Sequence, residues 1–191
     1  MRKYLILGTL ASVVNQFFQR DDIMVYISAY HGSAKAINEL KSMSCDSAVP
    51  IYCAAQNGHA EAIAPLKALG ANVNVVIEDG TTPVFIAAEN GHAAVITTLK
   101  AVGADVDTPD SDGKTPVFIA AENGHLEAIT ALSTVDANMN TPDKNGITPI
   151  SIASFKGHAT VIRALKAAGA NVNTPDNQGK TPVFIAAYNG H

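Results

Sequence analysis

An eleven-residue stretch, TPVFIAAENGH at residues 82–92, recurs unchanged at 115–125 and with one substitution at 181–191. Looser copies, TPISIASFKGH at 148–158 and VPIYCAAQNGH at 49–59, keep the same register, so five copies stand 33 residues apart. A period of this length means a chain built from supersecondary units, each burying its apolar face only against its neighbours. It constrains the fold more than the length of 191 residues does, because a stack of units has no single closed core. Hydrophobic residues at 47% against 16% charged exclude a disordered chain, so the units are expected to pack.

Within one unit the local chemistry places the elements. Thr82 suits an N-cap, and Pro83 suits the first helical position, whose N–H has no intrahelical partner in any case. A short helix then runs to Asn90, and Gly91 can take the left-handed conformation that ends it. His92 leads into a second helix whose apolar face is Val95, Ile96 and Leu99, closed in turn by Gly103. Helices this short are not stable alone, so packing between them must hold them. The paired alanines, Ala87 and Ala88, let the two helices come close. In the connectors Val106, Met139 and Val172 alternate with polar neighbours, as in a short extended arm. Asp-x-x-Gly at 110–113, 143–146 and 176–179 then makes a turn, with the carboxylate bonding the backbone ahead and glycine supplying positive φ.

The ends depart from the pattern. Residues 1–21 lie outside the repeat, and two readings fit them. Leu7, Leu10, Val14 and Phe17 share one helical face, as a capping helix requires. Met1-Arg2-Lys3 followed by an apolar run also fits a short secretory signal, and the run is too short to span a bilayer. Residues 22–48 read as a degenerate capping unit, with Gly32, Ile37 and Leu40 matching Gly58, Ile63 and Leu66. Full units follow at 49–81, 82–114, 115–147 and 148–180, and a truncated one at 181–191, as expected of a fragment of a longer repeat protein. Two residues break the unit's local rules. Asp136 stands where Gly103 and Gly169 end their helices, which requires a left-handed non-glycine residue. Pro65 falls inside a second helix, where a kink or a shortened helix is expected.

The 33-residue period, Thr-Pro-x-x-x-Ala-Ala, Asn-Gly-His, Gly-Ala-Asn/Asp-Val-Asn/Asp and Asp-x-x-Gly together resemble the ankyrin repeat, over residues 22–191. The resemblance implies a mainly α solenoid of stacked helix–turn–helix units with β-hairpin-like connectors, curved so that one concave side binds other proteins. One departure is general. The family's usual Thr-Pro-Leu-His has Tyr52, Phe85, Phe118, Ser151 or Phe184 at its histidine place, so packing there must differ.

Several function classes are disfavoured. A net charge of −4 with no Lys/Arg run provides no footprint for nucleic acid. No nucleophile–base pair, phosphate-binding glycine loop or His-Glu-x-x-His occurs, so no catalytic residue and no cofactor is expected. His59, His92, His125, His158 and His191 come one per unit, too far apart for one metal, and are expected to hydrogen-bond across turns and fix the stacking. Cys45 and Cys53 have no CxxC spacing; Cys53 fills the slot of Ile86, Ile119, Ile152 and Ile185 and reads as a core residue. Two unclustered thiols fit a reducing compartment and so a cytoplasmic protein, with a secreted or periplasmic one as the alternative if residues 1–14 direct export.

The function expected is therefore a non-catalytic protein–protein interaction module. The alternative is the targeting or substrate-recognition arm of a larger enzyme or secreted effector. Positions that change from unit to unit are free to carry specificity. The slot after Ala-Ala runs Gln56, Glu89, Glu122, Phe155, Tyr188, and Lys156 follows in the same unit. The slot after the turn glycine runs Thr81, Lys114, Ile147, Lys180, and the turn tips carry Lys144-Asn145 and Asn177-Gln178. By the resemblance these line the concave side. Phe155, Tyr188 and Ile147, flanked by Lys144, Lys156 and Lys180, form an apolar patch rimmed by charge, the make-up of an interface hot spot. Glu78, Asp79, Glu89, Asp105, Asp107, Asp110, Asp112 and Glu122 make the middle of the chain acidic, which fits a basic stretch of partner.

Overall fold

The computed structural model describes residues 48–68, 70–77 and 79–191. The capping segment expected at 1–21, the degenerate unit at 22–48 (save Ala48, which opens the first helix), Cys45 and Glu78 lie outside the described residues. The described residues form nine short helices: α1 Ala48–Gln56, α2 Ala60–Ala68, α3 Pro83–Glu89, α4 Ala93–Ala101, α5 Pro116–Asn123, α6 Leu126–Thr134, α7 Pro149–Lys156, α8 Ala159–Ala167 and α9 Pro182–Tyr188. First helices pack on first helices (α1, α3, α5, α7, α9), second on second (α2, α4, α6, α8), and the two helices of a unit pack on each other. The core is one continuous seam between these two layers, and Ile51, Ile63, Leu66, Ile96, Leu99, Phe118, Ile129, Leu132 and Leu165 lie fully buried along it. The alanine pairs Ala87-Ala88 and Ala120-Ala121 are also fully buried, where larger side chains would hold the layers apart.

The caps follow the sequence. Thr82, Thr115, Thr148 and Thr181 each accept a bond from the backbone N–H three residues on, at 3.2–3.3 Å, with proline at the first helical position. Cys53 is buried in the isoleucine slot. Asp136 takes φ 61°, the left-handed conformation its place demands. The departures at the Thr-Pro-x-x slot are resolved one by one. Phe85 and Phe118 are buried, Tyr52 bonds Thr81 Oγ1 through its hydroxyl at 3.0 Å, and the Ser151 hydroxyl pairs with Thr148 at 2.9 Å.

Of the kink or shortened helix expected at Pro65, the shortening does not occur. The helix that contains it is not shortened: α2 has nine residues, as do α4, α6 and α8. Proline removes one backbone bond, to the carbonyl of Glu61, and Glu61 is exposed, so water can satisfy that oxygen. Ala62, Ile63 and Leu66 are fully buried on the opposite face and hold the helix in place. Packing overrides local propensity here.

The connectors also differ from an extended arm, since no strand occurs among the described residues. Val73, Val106 and Met139 do turn inward, but side-chain oxygens take the N–H groups that a strand ladder would use. Asn74, Asp107 and Asn140 each accept the backbone N–H found 31 residues later, at Asp105 (2.9 Å), Asn138 (2.8 Å) and Asn171 (2.7 Å). The turns themselves are as expected: Asp110, Asp143 and Asp176 each accept two backbone N–H groups at 2.8–2.9 Å. Successive turn tips are tied by backbone bonds from Ser111 to Asp79, Lys144 to Asp112 and Asn177 to Asn145, at 3.1–3.2 Å.

Candidate protein-interaction face

The repeated histidines belong to the scaffold. Three of the imidazoles reach back one unit, with Nε2 of His92, His125 and His158 lying 3.1, 2.9 and 3.1 Å from the carbonyl oxygens of Gln56, Glu89 and Glu122. The rings of His92, His125, His158 and His191 also lie over the turn glycine one unit back, Gly58, Gly91, Gly124 and Gly157. A Cβ at Gly124 would sit 2.9 Å from Cε1 of His158, and one at Gly91 would sit 2.9 Å from Nδ1 of His125. Gly124 therefore serves twice, with φ +78° to end α5 and an open face to seat the next ring. Among the described residues no cluster of three or more His, Cys, Asp or Glu is placed to hold a metal ion, and no helix is long and apolar enough to cross a membrane.

The acidic middle is largely taken up by local bonds. Asp79 accepts from the backbone and hydroxyl of Thr81 at 2.9 and 2.6 Å, and these bonds, the hydroxyl first, hold its carboxyl below the usual carboxylate range. Asp105 is likewise lowered, first by the backbone N–H of Asp107 and then by the Thr108 hydroxyl. Asp107 staples the next unit and Asp110 closes its turn. Glu122 pairs with Lys114 at 3.1 Å, and the same ammonium lies 5.4 Å from the centre of the Phe118 ring. Among the described residues, half-buried Glu89 and exposed Asp112 make no such side-chain bonds.

The Lys114–Glu122 pair shows that the slot after the turn glycine and the slot after Ala-Ala face each other on one side of the stack. One unit on, the same side opens into a groove of about 590 Å³. Its lining includes Ile147, Ser151, Phe155, Gln178, Lys180 and Tyr188, so five of the residues singled out from sequence come together there. Phe155 is 49% exposed and Tyr188 81%, which leaves both rings open to a partner. Three coincident changes create the groove. Where the preceding unit has Lys114, Phe118 and Glu122, this one has Ile147, Ser151 and Phe155. These positions are four apart, and the middle change replaces a large buried ring with a hydroxymethyl group.

The rest of the expected site is distributed differently. Lys156 lies over the Phe155 ring at 5.9 Å and Lys180 lines the groove, but Lys144 turns away and donates to the carbonyl of Ser111. That carbonyl satisfies the ammonium, so Lys144 is not a wall of the groove. Asn145 and Asn177 are engaged in the ladder of turn tips: the Asn145 amide reaches Asp143 and that of Asn177 the carbonyl of Lys144, both at 3.2 Å. Sequence reading missed Phe184, which also lines the groove and stacks on Tyr188 with ring centres 6.0 Å apart. Their spacing of four within one helix was the available clue.

A comparison with curated proteins finds no match. A family model described as ankyrin repeats (3 copies) matches residues 51–143 and 128–191. The matched span covers the four full units, their threonine caps, their Gly–His contacts and their linked turn tips, and the chain belongs to the ankyrin-repeat family.

Proposed function

We propose that this chain is a non-catalytic module that binds a partner protein on the side formed by its turn tips and first helices, with the groove around Phe155 as the centre. One observation carries the reading: where one unit sets the Lys114–Glu122 ion pair beside the buried Phe118 ring, the next has Ile147, Phe155 and Ser151, which line an apolar groove. Exposed aromatic side chains beside a recess, rimmed by polar groups, are the features that concentrate binding energy. Lys156, Gln178 and Lys180 border the groove, Glu89, Lys114, Glu122, Lys144, Asn145 and Asn177 belong to the polar face beyond it, and Tyr188 extends the apolar centre. A stack whose neighbouring units are already cross-linked loses little conformational freedom on binding, which favours affinity.

The test compares proteins retained from a cell extract by the immobilised chain and by a Phe155→Ala, Tyr188→Ala double variant. Both residues are exposed, so far-ultraviolet circular dichroism is expected to be unchanged. Partners held by the wild-type chain are expected to be absent from the double variant. Equal retention by both would place the binding site elsewhere on the chain.

A further inference from the structure

The repeat supplies an internal reference for each position of the groove, and that reference identifies what one of its groups lacks. Lys114 and Lys180 occupy the same slot two units apart, as do Glu122 and Tyr188. In the earlier unit the ammonium meets its carboxylate at 3.1 Å. In the later one the carboxylate is replaced by a phenol, and among the described residues no carboxylate lies within ion-pair distance of Lys180. Asp176 does line the groove, but its Oδ1 accepts the backbone N–H groups of Gln178 and Lys180, both at 2.9 Å, and so serves the turn. A second cation, Lys156, stands at the Phe155 ring, and neither it nor Lys144 is ion-paired among the described residues. The groove thus combines an apolar floor, Ile147, Ile152 and Phe155, with a lysine whose internal counterion has been removed. The Phe184 slot is buried in the units that carry Phe85 and Phe118, so the exposure of Phe184 forms no part of the argument.

We propose that the groove takes a partner segment bearing an aspartate or glutamate close to a bulky apolar side chain. The apolar side chain seats in the groove between Ile147, Phe155 and Tyr188, above the buried Ser151, and the carboxylate pairs with Lys180 as Glu122 pairs with Lys114. This rests on the reading of the groove as the binding centre and adds the chemistry of what enters it. Charge complementarity favours an acidic occupant, because Lys180 stands exposed at the groove with no ion pair among the described residues.

A random peptide library displayed on phage, selected on the immobilised full chain, provides the probe. The enriched peptides are expected to share a carboxylate near an aromatic or branched aliphatic residue. One such peptide is then synthesised, and its affinity is measured by fluorescence anisotropy against the wild-type chain and variants whose folding is checked by circular dichroism. Tyr188→Glu returns the internal counterion and is expected to weaken binding about two- to fivefold relative to Tyr188→Gln, which alters shape alike without the charge. Lys180→Gln is expected to weaken the acidic peptide and to leave its amide analogue unaffected. Ser151→Phe, which refills the recess, is expected to weaken both peptides. If Phe155→Ala and Ser151→Phe abolish binding but the Glu and Gln variants at 188 behave alike, the carboxylate proposal fails and the groove stands. If Phe155→Ala and Ser151→Phe leave affinity untouched, or no binder is recovered, both readings fail.

Discussion

At the scale of single residues, the unit-to-unit contacts are more specific than the repeated letters suggest. Asn-Gly-His reads in sequence as a turn followed by a helix start. The structure adds that His92, His125, His158 and His191 each cover the glycine of the unit before, a pairing between residues 34 apart that exists only after stacking. Gly124→Ala places a Cβ in left-handed backbone and within 2.9 Å of His158. It is expected to destabilise the chain by about 2 kcal/mol, from the left-handed penalty plus the contact. In a Gly124→Ala, His158→Ala double variant the contact is relieved, so urea midpoints are expected to show less than the sum of the single losses. Additive losses would mean that the ring does not press on the glycine. The lowered carboxyls of Asp79 and Asp105 make a second prediction at this scale. A carboxyl lowered by folding contributes stability that is present above its unfolded value, near 3.8, and is lost as pH falls through the folded value. Thermal midpoints are therefore expected to drop as pH falls below about 4, and to drop less steeply in Asp79→Asn and Asp105→Asn. Unchanged steepness would mean that these carboxyls are not held by their neighbours.

At the scale of elements, the helices were legible because their signals are local. Threonine caps, proline at the first position and a 3.6-residue apolar period sit within a few residues of each other. Connectors and proline were harder, for physical reasons. The side-chain oxygens of Asn74, Asp107 and Asn140 find donors 31 residues away, which alternation in the sequence cannot reveal, so the arms read as extended when they are stapled turns. Pro65 breaks a local rule, but α2 is held by the burial of Ala62, Ile63 and Leu66 against neighbouring helices. A proline inside a helix still loses its hydrogen bond, so Pro65→Ala is expected to stabilise the chain by about 1–3 kcal/mol. The check is a urea midpoint that rises without change in slope. A fall in stability would mean that the proline ring fills space no methyl group can replace.

At the scale of the whole molecule, stability passes from unit to unit through Gly–His contacts and linked turn tips, and the proposed binding role falls to the slots these leave free. That division explains how much of the site could be read beforehand. Phe155 and Tyr188 were visible because they break a repeating slot. The acidic middle looked like a second surface, yet Asp79, Asp105 and Asp110 each accept the backbone N–H two residues on, and Asp107 accepts one that stacking brings from 31 residues away. The recess was also hidden, since Ser151 signals missing bulk only once Phe118 is seen filling the equivalent space. The central claim is that partners bind on the side of the turn tips and first helices, centred on this recess. Hydrogen exchange along the chain, with and without a bound partner, tests it most directly. Slowed exchange is predicted in α7, in the turn around Asp176–Lys180 and in α9; slowing confined to the second helices α4, α6 and α8 would contradict it.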